Sequence, residues 1–173
     1  MSSLGGQLGS ISDNKRAISF RTPVGEMHAI SDFNSIKGTG WGAISDSGKC
    51  EYIEVLEWVK NWFDGYFMGE IIETPPIDKD GLSEFASDVI TTLLEQVPYG
   101  NTVSYDELGI LSGYQNSSRA VGGVMSKNPW PILVPCHRVI SSNGDVGNYS
   151  GKGGSRTKLR LIEMEAEHEG HNW

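Results

Sequence analysis

Short apolar segments separated by glycine-containing turns occupy residues 16–46, a pattern typical of β-strands. The segments rich in strand-forming residues are 18–20, 27–30 and 41–44, and the separating turns are 23–25 and 38–40. Consecutive strands joined by short turns pair in antiparallel fashion. The pattern therefore predicts a small antiparallel sheet near the start of the chain.

Two longer stretches have apolar positions three and four residues apart, which is the spacing of one helix face. The first follows Glu51 and comprises Tyr52, Val55, Leu56, Val59, Trp62 and Phe63. The second comprises Phe85, Val89, Ile90, Leu93, Leu94 and Val97, and Pro98 ends it. We expect two amphipathic helices, the first of which covers the sheet.

Two shorter helices are predicted downstream of these. Ser104 and Glu107 have the spacing of a capping box, which opens a helix of about two turns. A glycine-containing turn separates it from a second helix, capped by Asn116 or Ser117, that extends to about Lys127. Two short helices joined in this way are typical of a helix-turn-helix unit, although many helical proteins share the pattern.

Apolar runs at 132–134 and 139–140 bracket Cys136 and His137, so we expect two buried strands to hold a thiol beside an imidazole. The thiolate is the reactive form of cysteine, and a thiol with an ordinary pKa of roughly 8.5 needs a base or a positive charge to ionise. Neighbours on an extended segment point to opposite faces, so a water molecule or a third group would bridge the two side chains. The alternative is an unreactive cysteine buried among aliphatic residues.

The end of the chain continues this unit. Asn143-Gly144 is a two-residue turn signal, which predicts a hairpin or wing between the run at 139–140 and Val146. The glycine-rich stretch 147–154 lacks the sequence context of a phosphate-binding loop, and we interpret it as a pocket wall. Residues 156–169 predict a final helix.

Residues 73–81 contain two prolines and charges of both signs, which marks a boundary within the chain. The predicted organisation is a disordered Gly/Ser-rich tail at 1–14, a sheet and helix domain at 15–74, a linker at 75–81 and a C-terminal domain at 82–173. The predicted fold class is α/β (α+β). A small N-terminal antiparallel sheet with a covering helix is joined to a mainly helical, winged-helix-like C-terminal domain.

The formal net charge of −8 is unevenly distributed along the 173 residues. Residues 114–160 contain seven basic residues and one acidic residue, Asp145, for a net charge of +6, so the remainder of the chain carries −14. An acidic half joined to a basic half is compatible with DNA contact through one face. A solvated surface without a partner is the alternative for part of this run.

No apolar run approaches the roughly 20 residues that span a bilayer, and residues 1–14 lack the apolar core of a signal peptide. The two cysteines, Cys50 and Cys136, do not form a disulfide framework, and the sequence has no Cys-x-x-Cys metal-ligand pair. We therefore expect an intracellular monomer without membrane contact, cytoplasmic or, in a eukaryote, nuclear.

The pentapeptide Pro-Cys-His-Arg-Val at 135–139 resembles the alkyl-acceptor signature of the O6-alkylguanine-DNA alkyltransferases, also called methylated-DNA–protein-cysteine methyltransferases. Other segments resemble the DNA-binding, active-site and substrate-loop segments of the same family. They are 103–105, 118–125, 128–129 and 147–151. Together these motifs cover roughly residues 80 to 170, about half of the chain.

The resemblance implies direct-reversal DNA repair in a single turnover. The alkyl group of O6-alkylguanine, and also of O4-alkylthymine, in duplex DNA would pass irreversibly to Cys136 after base flipping, without a cofactor. Glu165 would orient His137, which takes the thiol proton through a water molecule. Tyr105 would hydrogen-bond or protonate N3 of the leaving base, and Asn128 would support the turn that carries the nucleophile.

The resemblance also implies a DNA-binding surface. The helix around Arg119 would lie in the minor groove, with Arg119 filling the place of the extruded nucleotide. The small residues of this helix would permit close approach of DNA, although tight helix packing is an equal explanation for them. The other DNA- or substrate-binding residues implied are Ser118, Ala120, Gly122, Gly123, Met125, Arg138, Val139, Tyr149 and Ser150.

Two features depart from the family pattern. The loop after Tyr149 is about two residues longer than usual, so the relay carboxylate is placed by aligning Lys158 and the following apolar pair. That alignment favours Glu165, with Glu163 as the alternative. The zinc ligands that some relatives carry in their N-terminal half are absent, and we predict no metal.

Two other classes of function compete with this interpretation. A Cys-His hydrolase would use Cys136 to attack a carbonyl, but it requires an oxyanion hole that the sequence does not identify. A non-catalytic winged-helix DNA-binding protein would leave Cys136 buried and inert.

Overall fold

The computed structural model describes residues 16–44 and 54–170. The strands are β1 (Arg16–Thr22), β2 (Gly25–Ser31), β3 (Ile36–Trp41), β4 (Val103–Ser104) and β5 (Val139–Ile140). The helices are α1 (Glu54–Phe67), α2 (Glu84–Gln96), α3 (Tyr105–Leu111), α4 (Ser118–Ser126) and α5 (Ser155–Glu169), and a 3-10 helix spans Cys136–Arg138. The α+β fold class predicted from the sequence is confirmed. The predicted tail at 1–14 lies outside the described residues.

The first three strands form the predicted antiparallel sheet in the order β1-β2-β3. Met27 and Ala29 of β2 are fully buried on one face of this sheet, where α1 packs. The α1 side chains that meet the sheet are those of the predicted apolar stripe from Val55 onward, and Phe63 contacts Phe20 of β1 with ring centroids 4.8 Å apart. The prediction of a helix covering the sheet is therefore confirmed, apart from Tyr52, which lies outside the described residues.

The third strand was predicted in the wrong place. It begins at Ile36 rather than Trp41, because the turn before it is made by Asp32, whose carboxylate accepts hydrogen bonds from the backbone N–H groups of Asn34 and Ser35. Gly38 and Gly40 lie inside the strand. A Cβ on Gly40 would stand 2.8 Å from the His28 ring, so these glycines permit close packing and do not form a turn.

Residues 75–81, predicted as a linker, lie against the edge of the sheet. The Ile36 N–H donates to the Pro76 carbonyl at 2.7 Å, and the Asp78 N–H donates to the Ile36 carbonyl at 2.9 Å. Lys37 forms ion pairs with Asp32 and Asp78. This segment is therefore fixed to β3, while the division of the chain into two domains here stays a prediction.

β3 also contacts the segment that leads to the Cys136 helix. The Thr39 N–H donates to the Pro129 carbonyl and its hydroxyl to the Pro131 carbonyl, both at 3.0 Å. The indole N–H of Trp130 donates to the Ile36 carbonyl at 2.9 Å. The N-terminal sheet therefore supports the backbone just ahead of the thiol.

The two short helices form as predicted. At the start of α3, the Ser104 hydroxyl accepts from the Glu107 N–H, and the Glu107 carboxylate accepts from the Ser104 N–H, which completes the capping box. The predicted side-chain cap of α4 is wrong. Ser117 precedes the helix, but its hydroxyl donates to the Tyr114 carbonyl at 2.8 Å and caps no helix N–H.

The predicted hairpin after β5 is also wrong in its pairing. The turn forms, with Gly144 at φ 83° and its N–H donating to the Ser141 carbonyl. However, β5 pairs in parallel with β4, matching Val139 with Val103, and Val146 joins no strand. Beyond Asp145 the chain runs instead into the loop that bounds the cavity described below.

Within residues 16–44 and 54–170, no helix has the length and apolar character that a bilayer crossing requires. The same residues contain no cluster of three histidine, cysteine or acidic side chains placed to bind a metal ion.

Candidate active site

A tight turn precedes Cys136, where the sequence predicted a strand. Ile132 has φ 70° and is fully buried, and the Val134 N–H donates back to the Trp130 carbonyl at 2.8 Å. Asn128 fixes this turn, because its amide N–H donates to the Val134 carbonyl and its amide oxygen accepts from the Trp130 N–H, both at 2.9 Å. The proposed supporting role of Asn128 thus has a direct structural basis.

Cys136 begins the 3-10 helix, so the expectation of an extended segment at the thiol is wrong. The Cys136 N–H donates to the Val134 carbonyl, and the Val139 N–H donates to the Cys136 carbonyl. Cys136 is 4% exposed and lines a cavity, whereas His137 is fully buried and does not line it. The two adjacent side chains therefore have different surroundings.

The cavity that Cys136 lines has a volume of about 490 Å³. Its wall combines α3, α4, the loop after β5 and α5. The lining residues are Tyr105, Gly122, Met125, Ser126, Cys136, Ser141, Gly147, Asn148, Tyr149, Ser150 and Lys158. Six of the residues expected at the site, Tyr105, Gly122, Met125, Cys136, Tyr149 and Ser150, thus share one cavity. Val139 is fully buried beneath it in β5.

Glu165 lies behind His137. Its Oε1 atom is 2.6 Å from His137 Nε2. Its Oε2 atom accepts from Arg138 Nε at 2.9 Å and from the Gly100 N–H at 3.1 Å. Glu163, the alternative, is exposed on the outer side of α5. The geometry thus favours Glu165 as the carboxylate of the relay.

Burial opposes ionisation of Glu165, but the hydrogen bonds from His137 and Arg138, together with the positive charge of Arg138, prevail and lower its pKa to about 2. Burial lowers the pKa of His137, and the neighbouring carboxylate only partly opposes this change. The Nδ1 atom of His137 is buried and has no hydrogen-bond partner among the described residues. A neutral imidazole bonded to Glu165 through Nε2 therefore keeps Nδ1 available as a base.

The thiol itself is not ionised by its surroundings alone. Burial raises the pKa of Cys136, while a hydrogen bond from Asn128 and the charge of Lys158 act in the opposite direction. A proton must therefore leave Cys136 for a base before the sulfur attacks an electrophile.

Lys158 lines the cavity, although it was not among the site residues expected from the sequence. It is 1% exposed, and its Nζ atom lies 3.4 Å from both the Tyr105 hydroxyl and the Asn148 carbonyl. Burial lowers the pKa of its ammonium group, and Cys136 partly opposes this effect. Its spacing from Leu161 and Glu165 on one helix face is the sequence signal that could have identified it as buried.

The structure places Arg138, for which a DNA contact was expected, away from the cavity. Its guanidinium group points into the protein, where it donates to Glu165 and to the Val97 carbonyl, and the residue is 9% exposed. A long basic side chain can be buried when its nitrogen atoms are paired with oxygen atoms. Here Glu165 accepts from Nε and one terminal nitrogen of Arg138, and the Val97 carbonyl accepts from the other. Arg138 therefore holds the Glu165 carboxylate and does not line the cavity.

Residues 84–167 match a family model described as the DNA-binding domain of 6-O-methylguanine DNA methyltransferase. The matched range contains the cavity, the relay and α4. This part of the chain is therefore similar to that domain.

Curated relatives of this part of the chain carry the name methylated-DNA–protein-cysteine methyltransferase. The human protein is 41% identical over 116 residues, which are 64% of this chain and 53% of the relative. The Cricetulus griseus protein is 40% identical over 115 residues, 65% of this chain and 54% of the relative. The chain thus spans about half the length of the curated relatives it matches.

A solved structure, Mycobacterium tuberculosis OGT in complex with DNA, resembles a larger part of the chain. It superimposes with a TM-score of 0.75 at 28% identity, covering 88% of this chain and 94% of that one. The likeness therefore extends beyond residues 84–167 into the N-terminal sheet and α1.

Helix α4 presents the small residues on an open surface. Ser118, Arg119 and Ala120 are exposed, and a Cβ on Gly123 would meet nothing within 4 Å. Gly122 would meet only the Tyr105 ring, at an ordinary contact distance of 3.9 Å. Packing within this chain therefore does not explain either glycine.

The basic run around α4 is smaller on the surface than in the sequence. Arg138 and Lys158 are buried, which leaves Arg119, Lys127, Lys152, Arg156 and Arg160 exposed between residues 114 and 160. Five exposed basic side chains and one exposed acidic side chain, Asp145, thus remain in this range.

Proposed function

We propose that this protein repairs alkylated DNA by transferring the alkyl group from O6 of guanine, and from O4 of thymine, to Sγ of Cys136. The observation that carries the proposal is a single cavity lined by a cysteine, a tyrosine and a buried lysine, with a histidine and glutamate relay directly behind the cysteine. The match to the methyltransferase family model supports the same chemistry.

The proposed step is a displacement at the alkyl carbon. The Cys136 thiol loses its proton, through a water molecule, to His137 Nδ1, and Glu165 stabilises the imidazolium that forms. The sulfur then bonds to the alkyl carbon as the bond from carbon to O6 breaks, and the electron pair of that bond leaves on the guanine. The product is a thioether, so each protein molecule acts once and Cys136 is not regenerated.

Negative charge that develops on the departing base requires a counter charge or a proton. Tyr105 lines the cavity and receives a hydrogen bond from Lys158 Nζ, which lies 5.6 Å from the centre of the Tyr105 ring. This contact favours transfer of the Tyr105 proton to N3 of the guanine, because the ammonium group stabilises the resulting phenolate. The Ser150 N–H would bind O6, and the Cys136 and Val139 carbonyls would accept hydrogen bonds from the exocyclic amine.

Helix α4 connects the proposed DNA surface to the cavity. Its exposed side carries Arg119 and Ala120, while Gly122 and Met125 line the cavity. A duplex lying on α4 would need to move its damaged base only across the width of this helix. Arg119 would then occupy the vacated position in the base stack.

Mass spectrometry after mixing with a duplex that contains O6-methylguanine tests the proposal. We expect each protein molecule to gain the mass of one methylene unit, because a methyl group replaces the thiol hydrogen. Peptide analysis should locate the methyl group on Cys136, and the duplex should regain unmodified guanine. A Cys-His hydrolase or a non-catalytic DNA-binding protein would keep its unmodified mass. An unmodified mass would therefore reject the proposal.

Arg119→Ala is expected to slow repair of duplex DNA much more than transfer from free O6-benzylguanine. Only the duplex requires a base to leave the stack, at a cost of a few kcal/mol, so the loss of duplex repair is expected to reach about tenfold or more. The measurement is the second-order rate constant of alkyl transfer on both substrates.

Lys127→Ala provides the matched control, because it removes another exposed positive charge next to the other end of α4. It should weaken duplex binding by simple loss of charge without a selective effect on the flipping step. Equal rate losses on both substrates in Arg119→Ala would instead assign Arg119 a role in stabilising the fold.

A further inference from the structure

Tyr66 of α1 contacts the relay from the N-terminal part of the chain. Its hydroxyl donates to Glu165 Oε1 at 2.6 Å and lies 3.2 Å from His137 Nε2. The residue is 2% exposed, and its ring stacks on Trp62 with centroids 5.2 Å apart. In the sequence Tyr66 could not be distinguished from the apolar residues of α1, with which it shares a helix face.

We propose that Tyr66 is a positioning residue for alkyl transfer, which keeps His137 neutral and its Nδ1 atom unprotonated toward the cysteine. This inference rests on the proposed function, because it assigns His137 the role of base. It adds a residue outside the matched methyltransferase domain to the machinery of the site.

The protonation pattern follows from the donors around Glu165. The carboxylate is ionised, so it only accepts hydrogen bonds. Its Oε1 atom accepts from the Tyr66 hydroxyl, and His137 Nε2, at 2.6 Å from the same atom, must therefore carry a proton. A neutral imidazole protonated on Nε2 has its lone pair on Nδ1, the nitrogen without a protein partner.

Tyr66 has two opposing effects on the pKa of His137. Its O–H bond withdraws part of the Glu165 negative charge, which disfavours the imidazolium, whereas its oxygen atom favours the imidazolium as an acceptor near Nε2. The first contact, at 2.6 Å, is as short as a charge-assisted O–H bond to a carboxylate, whereas the second, at 3.2 Å, is longer than the distance at which a charge-assisted N–H bond forms. The first effect therefore prevails.

The other titratable groups near His137 are identified by the structure. Glu165 and Lys158 belong to α5, and Arg138 follows His137 in the 3-10 helix. Cys136 precedes it, and Tyr99, in the loop after α2, stacks edge to face on Tyr66 with centroids 5.5 Å apart. Tyr66→Phe leaves every one of these groups in the protein, so any change in titration arises from the hydroxyl.

Tyr66→Phe and Tyr99→Phe form a matched pair for the test. Each removes one tyrosine hydroxyl, but the Tyr99 hydroxyl contacts the Tyr66 carbonyl and His168 and makes no hydrogen bond to Glu165. Both variants keep their rings, and therefore the stacking against Trp62 and Arg138.

The first measurement is the rate of alkyl transfer from free O6-benzylguanine as a function of pH. We expect the midpoint of the acidic limb to lie at a pH at least about half a unit higher in Tyr66→Phe than in the wild type, because His137 then binds a proton more readily. The variant should lose about threefold or more in rate on that limb and little on the alkaline side. Tyr99→Phe should follow the wild-type profile. A uniform loss of rate at every pH, or no loss, would overturn the proposal.

Imidazole ¹⁵N NMR provides a second readout that does not depend on alkyl transfer, with His137 assigned by its absence in His137→Gln. We expect the wild-type ring to be protonated on Nε2 alone, and Tyr66→Phe to raise its titration midpoint by the same amount as the rate profile. If the His137 midpoint rises in Tyr66→Phe but neither the wild type nor the variant transfers the alkyl group, the proposed function fails. The effect of Tyr66 on His137 then still stands. If transfer occurs and the His137 midpoint does not move, only the positioning role fails.

Discussion

Cys136→Ser is expected to abolish alkyl transfer completely. A serine hydroxyl has nearly the same shape as the thiol but is far harder to ionise, and His137 cannot activate it sufficiently for attack on an alkyl carbon. The cavity, the turn fixed by Asn128 and the relay behind His137 all remain in place. The loss would therefore come from the chemistry of one atom and not from a change in the fold.

Two measurements separate this loss from a loss of DNA binding. Cys136→Ser should bind O6-methylguanine duplex with nearly unchanged affinity, because the proposed DNA surface on α4 is intact, and it should show no mass gain after prolonged incubation. Cys50→Ser, the change at the only other cysteine of the sequence, should transfer at the wild-type rate. Stoichiometric modification of the Cys136→Ser protein would contradict the assignment.

Glu165→Gln is expected to cost roughly 3–5 kcal/mol of stability at neutral pH, because removing one partner of a buried ion pair leaves the other unpaired. Glu165 accepts from both Arg138 and Tyr66, and its side chain is 2% exposed. The amide that replaces it carries no charge to neutralise the buried guanidinium group. Such a loss is a large fraction of the stability of a domain.

The sign of the pH dependence follows from the lowered pKa of Glu165, which falls from an ordinary 4.5 to about 2 in the folded protein. Above pH 4.5 the carboxylate is ionised in both the folded and the unfolded chain, and its stabilising contribution is complete. As the pH falls toward 2, the unfolded chain binds the proton first and the contribution is lost. The difference in stability between wild type and Glu165→Gln should therefore shrink over this range.

Urea denaturation of both proteins at neutral pH and at pH values below 4.5 measures this difference. Glu163→Gln is the matched control, since it changes the same residue type at an exposed position of the same helix. It should leave the midpoint nearly unchanged at every pH. A constant difference between wild type and Glu165→Gln across the range would show that packing, not charge, explains the effect.

Local sequence patterns predicted those parts of the structure that local interactions determine. The capping box at Ser104 and the apolar stripe of α1 involve residues close in sequence, and both were predicted correctly. The third strand was misplaced because its glycines normally indicate turns, whereas here they accept the His28 ring and the Pro129 carbonyl at close range. Those neighbours are distant from the glycines in the sequence, so the local pattern of residues does not predict their contact.

The site shows the same limit. The motif around Cys136 identified the thiol, the imidazole and the cavity residues, because these lie in short contiguous segments. Arg138 belongs to the same motif, yet it points away from the cavity because the acceptors of Glu165 and Val97 lie behind it. Lys158 and Tyr66 reach the site from α5 and α1, and only the packing of whole helices places them there. Their roles depend on tertiary contacts that spacing alone does not reveal.

The hydrogen bonds between β3 and the segment before Cys136 bear on how the protein folds. The Trp130 indole and its acceptor at Ile36 are 94 residues apart in sequence, and Thr39 and Pro131 are 92 apart. Contacts between residues so far apart in sequence form slowly, because the entropic cost of closing a long loop precedes any stability that they contribute. We therefore expect β3 to dock on this segment late in folding, after the sheet and its covering helix have formed. Asn128 fixes the turn before Cys136 locally, but a partly folded chain would lack the contacts with β3 that support it. We expect Cys136 to accept an alkyl group only in fully folded molecules.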